Sequence, residues 1–147
     1  YNLRPLELEG ALGLTQLEKL PGFLAARRDN ARLFQQMFEG LDCIGIQQET
    51  GESSWFGFAM TLRGRLAGQR QALVQALAAA EIECRPVVAG NFLANPVIDK
   101  LDHSVAGPVP AAENIDANAL FTGNHHYPIA PQIERLRQVV DDVAARF

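Results

Sequence analysis

The chain has 147 residues, 48% of them hydrophobic and 20% charged, with a formal net charge of -4. That is enough for one domain with a real core and too little for two ordinary ones. The balance excludes a disordered polar segment and the basic excess of a nucleic-acid binder, and no apolar run approaches the roughly 20 residues that span a bilayer. Cys43 and Cys84 lie in apolar, β-branched surroundings, which is neither a disulfide framework nor metal-ligand spacing, so a reducing cytoplasm is the expected setting.

Tyr1-Asn2-Leu3-Arg4 opens the sequence without a methionine and reads as the interior of a longer protein. Pro5 suits the first position of a helix, and Leu6, Leu8, Leu14, Leu17 and Leu20 recur through a predicted first helix ending near Lys19. Gly10, Ala11 and Gly13 lie within it, and such small residues predict the close approach of another backbone. Pro21 is expected to break or kink the chain. A second helix then carries Leu24, Ala31, Phe34 and Phe38 on one face and closes at Gly40.

Residues 43–47 and 55–62 read as an antiparallel hairpin with a long loop. Phe56, Phe58, Met60 and Leu62 fall on one face of its second strand, and Trp55, Gly57, Ala59 and Thr61 on the other. A helix over 69–80, with Leu73, Val74 and Leu77, precedes a predicted strand over 82–88, an order that suggests a mixed α/β layer. Between Ala89 and Pro110 glycine, proline and asparagine break the pattern, with a helical turn near 96–101, and this loop region is where function is sought. A weak helix over 111–120, an extended piece over 121–127 and a final helix from Pro131 complete the chain. That last helix bears a stripe of Ile133, Leu136, Val140, Val143 and Phe147.

The residues alone offer no catalytic set. His125 and His126 are adjacent, so an extended chain points them to opposite sides and they cannot chelate one ion together; with His103 the only other histidine, no metal site is expected. The two cysteines fall in apolar strands, where burial makes a thiol inert. Neither Lys19 nor Lys100 has the setting of a Schiff-base lysine, and no glycine-rich phosphate loop occurs. Arg85 stands out, before Pro86 and the Gly90-Asn91 loop. Its guanidinium either grips a phosphate or carboxylate or forms a salt bridge with Glu83 or a helix carboxylate.

Tyr1-Asn2-Leu3-Arg4, followed by Leu8-Glu9-Gly10-Ala11-Leu12-Gly13-Leu14-Thr15-Gln16-Leu17-Glu18-Lys19-Leu20, resembles the start of the small domain of the DegT/DnrJ/StrS sugar aminotransferases. That family's pattern runs Y-N-x-[RK], then L-[QE]-x-A-x-G-x-x-Q-L-x-x-L. Arg27-Arg28-Asp29-Asn30-Ala31, Ser54-Trp55-Phe56-Gly57-Phe58 and Glu83-Cys84-Arg85-Pro86 with Gly90-Asn91 resemble its sugar 3-dehydratase branch. Gly123-Asn124-His125-His126-Tyr127-Pro128 departs from the leucine-proline loop usual in the family.

The resemblance implies an α/β (α+β) small domain with a mostly antiparallel sheet, at the C-terminal end of a fold-type I enzyme dependent on pyridoxal or pyridoxamine phosphate. It implies a nucleotide-linked 4-keto sugar as substrate and a homodimer whose subunits share the active site. Asn2 would bind the cofactor phosphate, and Arg4, Arg85 and Asn91 would contact substrate or nucleotide. The catalytic residue lies outside the chain: a lysine for amination, a histidine in its place for dehydration. On this reading the chain alone is inactive. An alternative from another class is a free-standing α/β binding module, in which the Gly10 and Gly13 face is covered by the chain itself.

Overall fold

The computed structural model describes residues 6–147. Four helices, α1 (Glu7–Phe38), α2 (Arg70–Ala79), α3 (Pro110–Asn118) and α4 (Ala130–Ala144), accompany four strands, β1 (Ile44–Ile46), β2 (Gly57–Leu62), β3 (Cys84–Arg85) and β4 (Ala119–Gly123). The sheet order is β1-β2-β4-β3 and every pairing is antiparallel. The α/β layer suggested by the strand, helix, strand order forms, with β4 inserted between β2 and β3 and antiparallel to both.

Alternation along β2 turns Phe58, Met60 and Leu62 inward. Leu120 pairs with Met60 on that face, and α1, α2 and α4 bring Phe34, Phe38, Leu73, Leu77, Ile133, Leu136, Val140 and Val143 to the same core. Phe34 stacks on Phe58 with ring centroids 4.4 Å apart and on Phe38 at 4.6 Å, offset aromatic packing that adds about 1 kcal/mol per pair to simple burial. The predicted stripe of α4 is buried as expected except for Phe147, which lies beyond the helix and is exposed.

Pro21 does not divide the first helix. α1 runs through it for 32 residues. Both Pro21 and Leu17, whose carbonyl loses its usual intrahelical donor there, are exposed, so water can satisfy the freed group. At the start of the helix Glu9 Oε2 accepts the Leu6 N–H at 3.0 Å, a cap rather than merely solvated charge. Gly40, at φ +81°, follows the helix in the left-handed region as its position predicts.

The strand predicted over 82–88 shrinks to Cys84–Arg85. Pro86 has no N–H to continue a ladder, and Val88 stands at φ +40°, where a β-branched residue is strained. Trp55, expected on the face of Gly57, Ala59 and Thr61, is buried, and Phe56, expected on the face of Phe58, is exposed: Trp55 takes φ +49° just before the strand begins, which rotates the pair out of the alternation.

Gly57 occupies a position that only glycine fits. A Cβ there would lie 2.6 Å from the Thr122 carbonyl oxygen and 2.9 Å from the Phe121 ring, because Phe121 leans across the open face of the sheet over the glycine. Gly57→Ala is expected to destabilise the domain by about 2 kcal/mol through this overpacking, read as a lower urea midpoint with an unchanged slope.

Candidate functional site

Two surfaces stand apart from the core. The first is a cleft of about 500 Å³ at the end of the sheet, where two-residue β3 stops flanking β4. Its walls include Phe56, Phe121, Glu83, Arg85, His125 and Tyr127. The lining includes the apolar Phe58, Ile133 and Leu136 and also the buried Thr122, whose Oγ1 has no hydrogen-bond partner among the described residues.

The rim is held in place by two buried asparagines. Asn30, on the inward face of α1, points its amide Nδ2 at Asn124 Oδ1, the His125 carbonyl and the Tyr127 carbonyl, at 3.0, 3.1 and 2.8 Å. Its Oδ1 accepts the Ile129 N–H at 3.2 Å. Asn124 in turn donates through Nδ2 to the carbonyls of Arg27 and Trp55 at 3.0 and 2.9 Å. Residues 125–128 are themselves exposed, but the carbonyls of His125 and Tyr127 turn toward α1, where the Asn30 amide replaces the missing ladder. The two asparagines thus staple residues 124–129 to α1 and to the turn before β2.

Above this staple, the His125 ring stacks on Tyr127 with centroids 4.9 Å apart, while His126 packs on Phe23 of α1 at 4.4 Å. His126 also meets the Tyr127 ring edge-on at 5.4 Å, so both histidines contact one tyrosine; the extended piece expected over 121–127 ends at Gly123 and bends at 126–127. Among the described residues no cluster of metal-ligating side chains occurs.

Arg85 reaches the cleft rim but is engaged with its neighbour: Nε and Nη2 both donate to Glu83 Oε1, at 3.1 and 2.8 Å. The Glu83 ion pair anticipated in the sequence forms, between two exposed side chains. Asn91 does not line the cleft. Its Oδ1 accepts the Leu93 N–H at 3.1 Å and its own N–H reaches Asp116 of α3 at 3.3 Å, so it shapes the loop after β3. Asn2 and Arg4 lie outside the described residues. Cys84 is unpaired, and burial, reinforced by the Glu83 carboxylate, raises its thiol pKa; it is a poor nucleophile, as its strand setting predicts.

Sequence reasoning named Glu83 as a partner of Arg85 but missed Asn30, Asn124 and Phe56 as shapers of this site. Of those three, only Asn30 carried a signal, as an amide next to Ala31 of the apolar face, where a polar side chain needs partners.

The second surface is the amino-terminal half of α1. Leu6, Leu8, Leu12, Leu14, Leu17 and Leu20 are all exposed, and a Cβ added at Gly10 or Gly13 would meet nothing within 4 Å. The described residues do not cover this helix, contrary to what a free-standing module requires.

The family model of the DegT/DnrJ/EryC1/StrS aminotransferases matches residues 1–144. The chain is 50% identical over 141 residues to a GDP-4-keto-6-deoxy-D-mannose 3-dehydratase of Yersinia pseudotuberculosis, an alignment covering 95% of this chain and 36% of that protein. It is similar to a solved Escherichia coli GDP-4-keto-6-deoxy-D-mannose-3-dehydratase with bound hydrated PLP, with a TM-score of 0.88, 47% identity and coverage of 95% and 36%. Helicobacter pylori PseC, an aminotransferase of pseudoaminic acid biosynthesis, matches with a TM-score of 0.82 at 16% identity over all of this chain and 39% of that one, a likeness of fold alone. The chain thus spans about a third of the length of the relatives it matches. With the motif of residues 1–20, the antiparallel sheet and the family model all in agreement, the chain belongs to the DegT/DnrJ/EryC1/StrS aminotransferase family.

Proposed function

We propose that this chain is the C-terminal small domain of a cytoplasmic, homodimeric enzyme that removes the C3 hydroxyl from a GDP-linked 4-keto-6-deoxy sugar with a pyridoxal or pyridoxamine phosphate cofactor. The observation that carries the reading is the 50% identity to the Yersinia 3-dehydratase across 95% of the chain. Whole domains conserved to that degree ordinarily serve one chemistry, whereas the aminotransferase PseC matches at only 16%.

The described residues do not by themselves cradle such a cofactor. Lys19 and Lys100 are both exposed, and no buried cationic or amide cluster waits for a phosphate. No chemical step is assigned to them. This domain frames the substrate while the cofactor supplies the electron sink when bound. Asn2 is proposed to hold the cofactor phosphate, with Arg4, Arg85 and Asn91 on the substrate side.

The exposed leucines support a place within a larger assembly. Leu6, Leu14, Leu17 and Leu20 fall on one side of α1 with Gly10 and Gly13, by their three- and four-residue spacing, and Leu8 and Leu12 on the opposite side. A helix with apolar residues on two sides suits burial between two bodies, such as the rest of its own chain and a partner subunit. The test is turnover by the full-length protein given PLP, glutamate and GDP-4-keto-6-deoxymannose. A 3-deoxy product is expected; a 4-amino sugar would assign amination instead, and no turnover of any nucleotide-linked 4-keto sugar would remove the reading.

A further inference from the structure

We infer that Asp116 of α3 is a positioning residue for the substrate: it clamps the strained turn 87–91 after β3 and so fixes where Asn91 stands relative to Arg85. The inference rests on the proposed reading that Asn91 lies on the substrate side, and names the residue that holds it there.

Arg85 ends β3 at the cleft rim, whereas Asn91 lies outside the cleft at the head of the helical turn Phe92–Ala94. The chain between them reverses, with the Gly90 N–H donating to the Val87 carbonyl at 2.7 Å. Val88, at φ +40°, holds a backbone conformation that a β-branched side chain disfavours. It is also 90% exposed, so burial of its side chain does not offset that strain. Backbone strain of this kind persists only where the surroundings over-determine it.

Those surroundings come from α3. Asp116 Oδ1 accepts the Asn91 N–H at 3.3 Å, and Gly90 lies so close that a Cβ there would collide with this carboxylate and stand 2.9 Å from the Asp116 Cα. Asn91 is gripped again through its side chain, whose Oδ1 accepts the Leu93 N–H at 3.1 Å. With backbone and side-chain oxygen both held, its planar amide takes one orientation. Asp116 is itself anchored: Arg70 of α2 donates through Nη1 to its carbonyl at 2.6 Å and to that of Ala119 at 3.4 Å. The carboxylate sits in the last turn of α3, where the helix dipole disfavours negative charge. Helix stability therefore does not account for an acid at this place, and its bond to the turn does. Two local penalties, at Val88 and at Asp116, meet in one contact, and departures from local preference of this kind gather at functional sites.

The test uses the full-length holoenzyme. It measures KM and kcat for GDP-4-keto-6-deoxymannose and, separately, the Kd of GDP-mannose, a GDP-linked sugar without the keto group that therefore cannot react. Asp116→Ala should raise KM and Kd by about tenfold, the worth of one well-placed hydrogen bond. It should leave cofactor absorbance unchanged and kcat within about twofold, the pattern of lost uniform binding. Asp116→Asn keeps an acceptor at Oδ1 and should bring both constants back to within about threefold of the unaltered enzyme. Gly90→Ala, which drives the turn off the carboxylate, should repeat the effect of Asp116→Ala. Asn118→Ala removes a like tether from the same helix, to the Gly68 N–H at 2.7 Å, and should leave KM unchanged. Adding Asp116→Ala to Asn91→Ala should weaken binding by no more than about twofold beyond Asn91→Ala alone, since nothing remains to be positioned. Unchanged KM and Kd in Asp116→Ala, a loss that asparagine does not restore, or an equal loss in Asn118→Ala overturns the inference. If Asn91→Ala weakens binding and Asp116→Ala does not, the inference fails and the reading of Asn91 stands; if Asn91→Ala has no effect, that reading fails and takes the inference with it. An enzyme that turns over no 4-keto sugar loses the reaction reading, while the Kd values still decide the role of Asp116.

Discussion

Asn30→Leu is expected to be the most damaging single substitution in this domain, lowering its stability by about 3 kcal/mol. Leucine is close in volume, so little packing is lost. What is lost are the donors to the His125 and Tyr127 carbonyls and to Asn124, and the acceptor for the Ile129 N–H. Each buried group left without a partner costs about 1–3 kcal/mol, and partial relaxation of the loop toward water recovers some of it. For a domain of this size the loss corresponds to a fall in Tm of roughly 10 °C. Because the same bonds hold the cleft rim, amide hydrogen exchange at residues 125–129 should accelerate more than exchange in β2. A Tm within 2 °C or so of the unaltered protein would show that the asparagine staple contributes little.

The second large effect concerns the open half of α1. In the full-length protein, Leu17→Glu and Leu12→Glu, each made alone, are expected to destabilise the assembly by about 2–3 kcal/mol, the cost of withdrawing a buried leucine and placing a charge in its stead. The two residues lie on opposite sides of the helix, so the pair of variants asks whether both sides are covered. Subunit dissociation, followed by size-exclusion chromatography with light scattering, should be promoted by the variant whose side faces the partner. Were both leucines solvent-exposed in the whole protein, as they are in this chain, neither substitution would shift stability by more than a few tenths of a kcal/mol.

Most of the secondary structure was legible because it depends on local pattern. The stripe of Ile133, Leu136, Val140 and Val143 on α4, the alternation of Phe58, Met60 and Leu62, and the glycine after α1 all place themselves by periodicity and backbone chemistry. Pro21 misled because a proline's cost depends on whether its i-4 carbonyl can reach water, and that is a property of exposure. The over-long third strand failed for a related reason: its neighbours are supplied by β4, which lies more than thirty residues further along the chain.

The site was less legible. Residues 1–20 carry the family by a motif of specific residues at specific spacing, and that much the amino-acid sequence determined without any coordinates. It also determined that no complete catalytic set is present, since the two lysines, three histidines and two cysteines lack the settings their chemistry needs. Only the tertiary structure decided that Asn30 and Asn124, 94 positions apart, form one hydrogen-bonded staple, that Arg85 pairs with Glu83 at the cleft rim, and that Phe56 faces an open cleft. Hydrogen bonds and cleft walls join residues through space, and one-dimensional spacing records such pairs only when both lie on the same helix or strand.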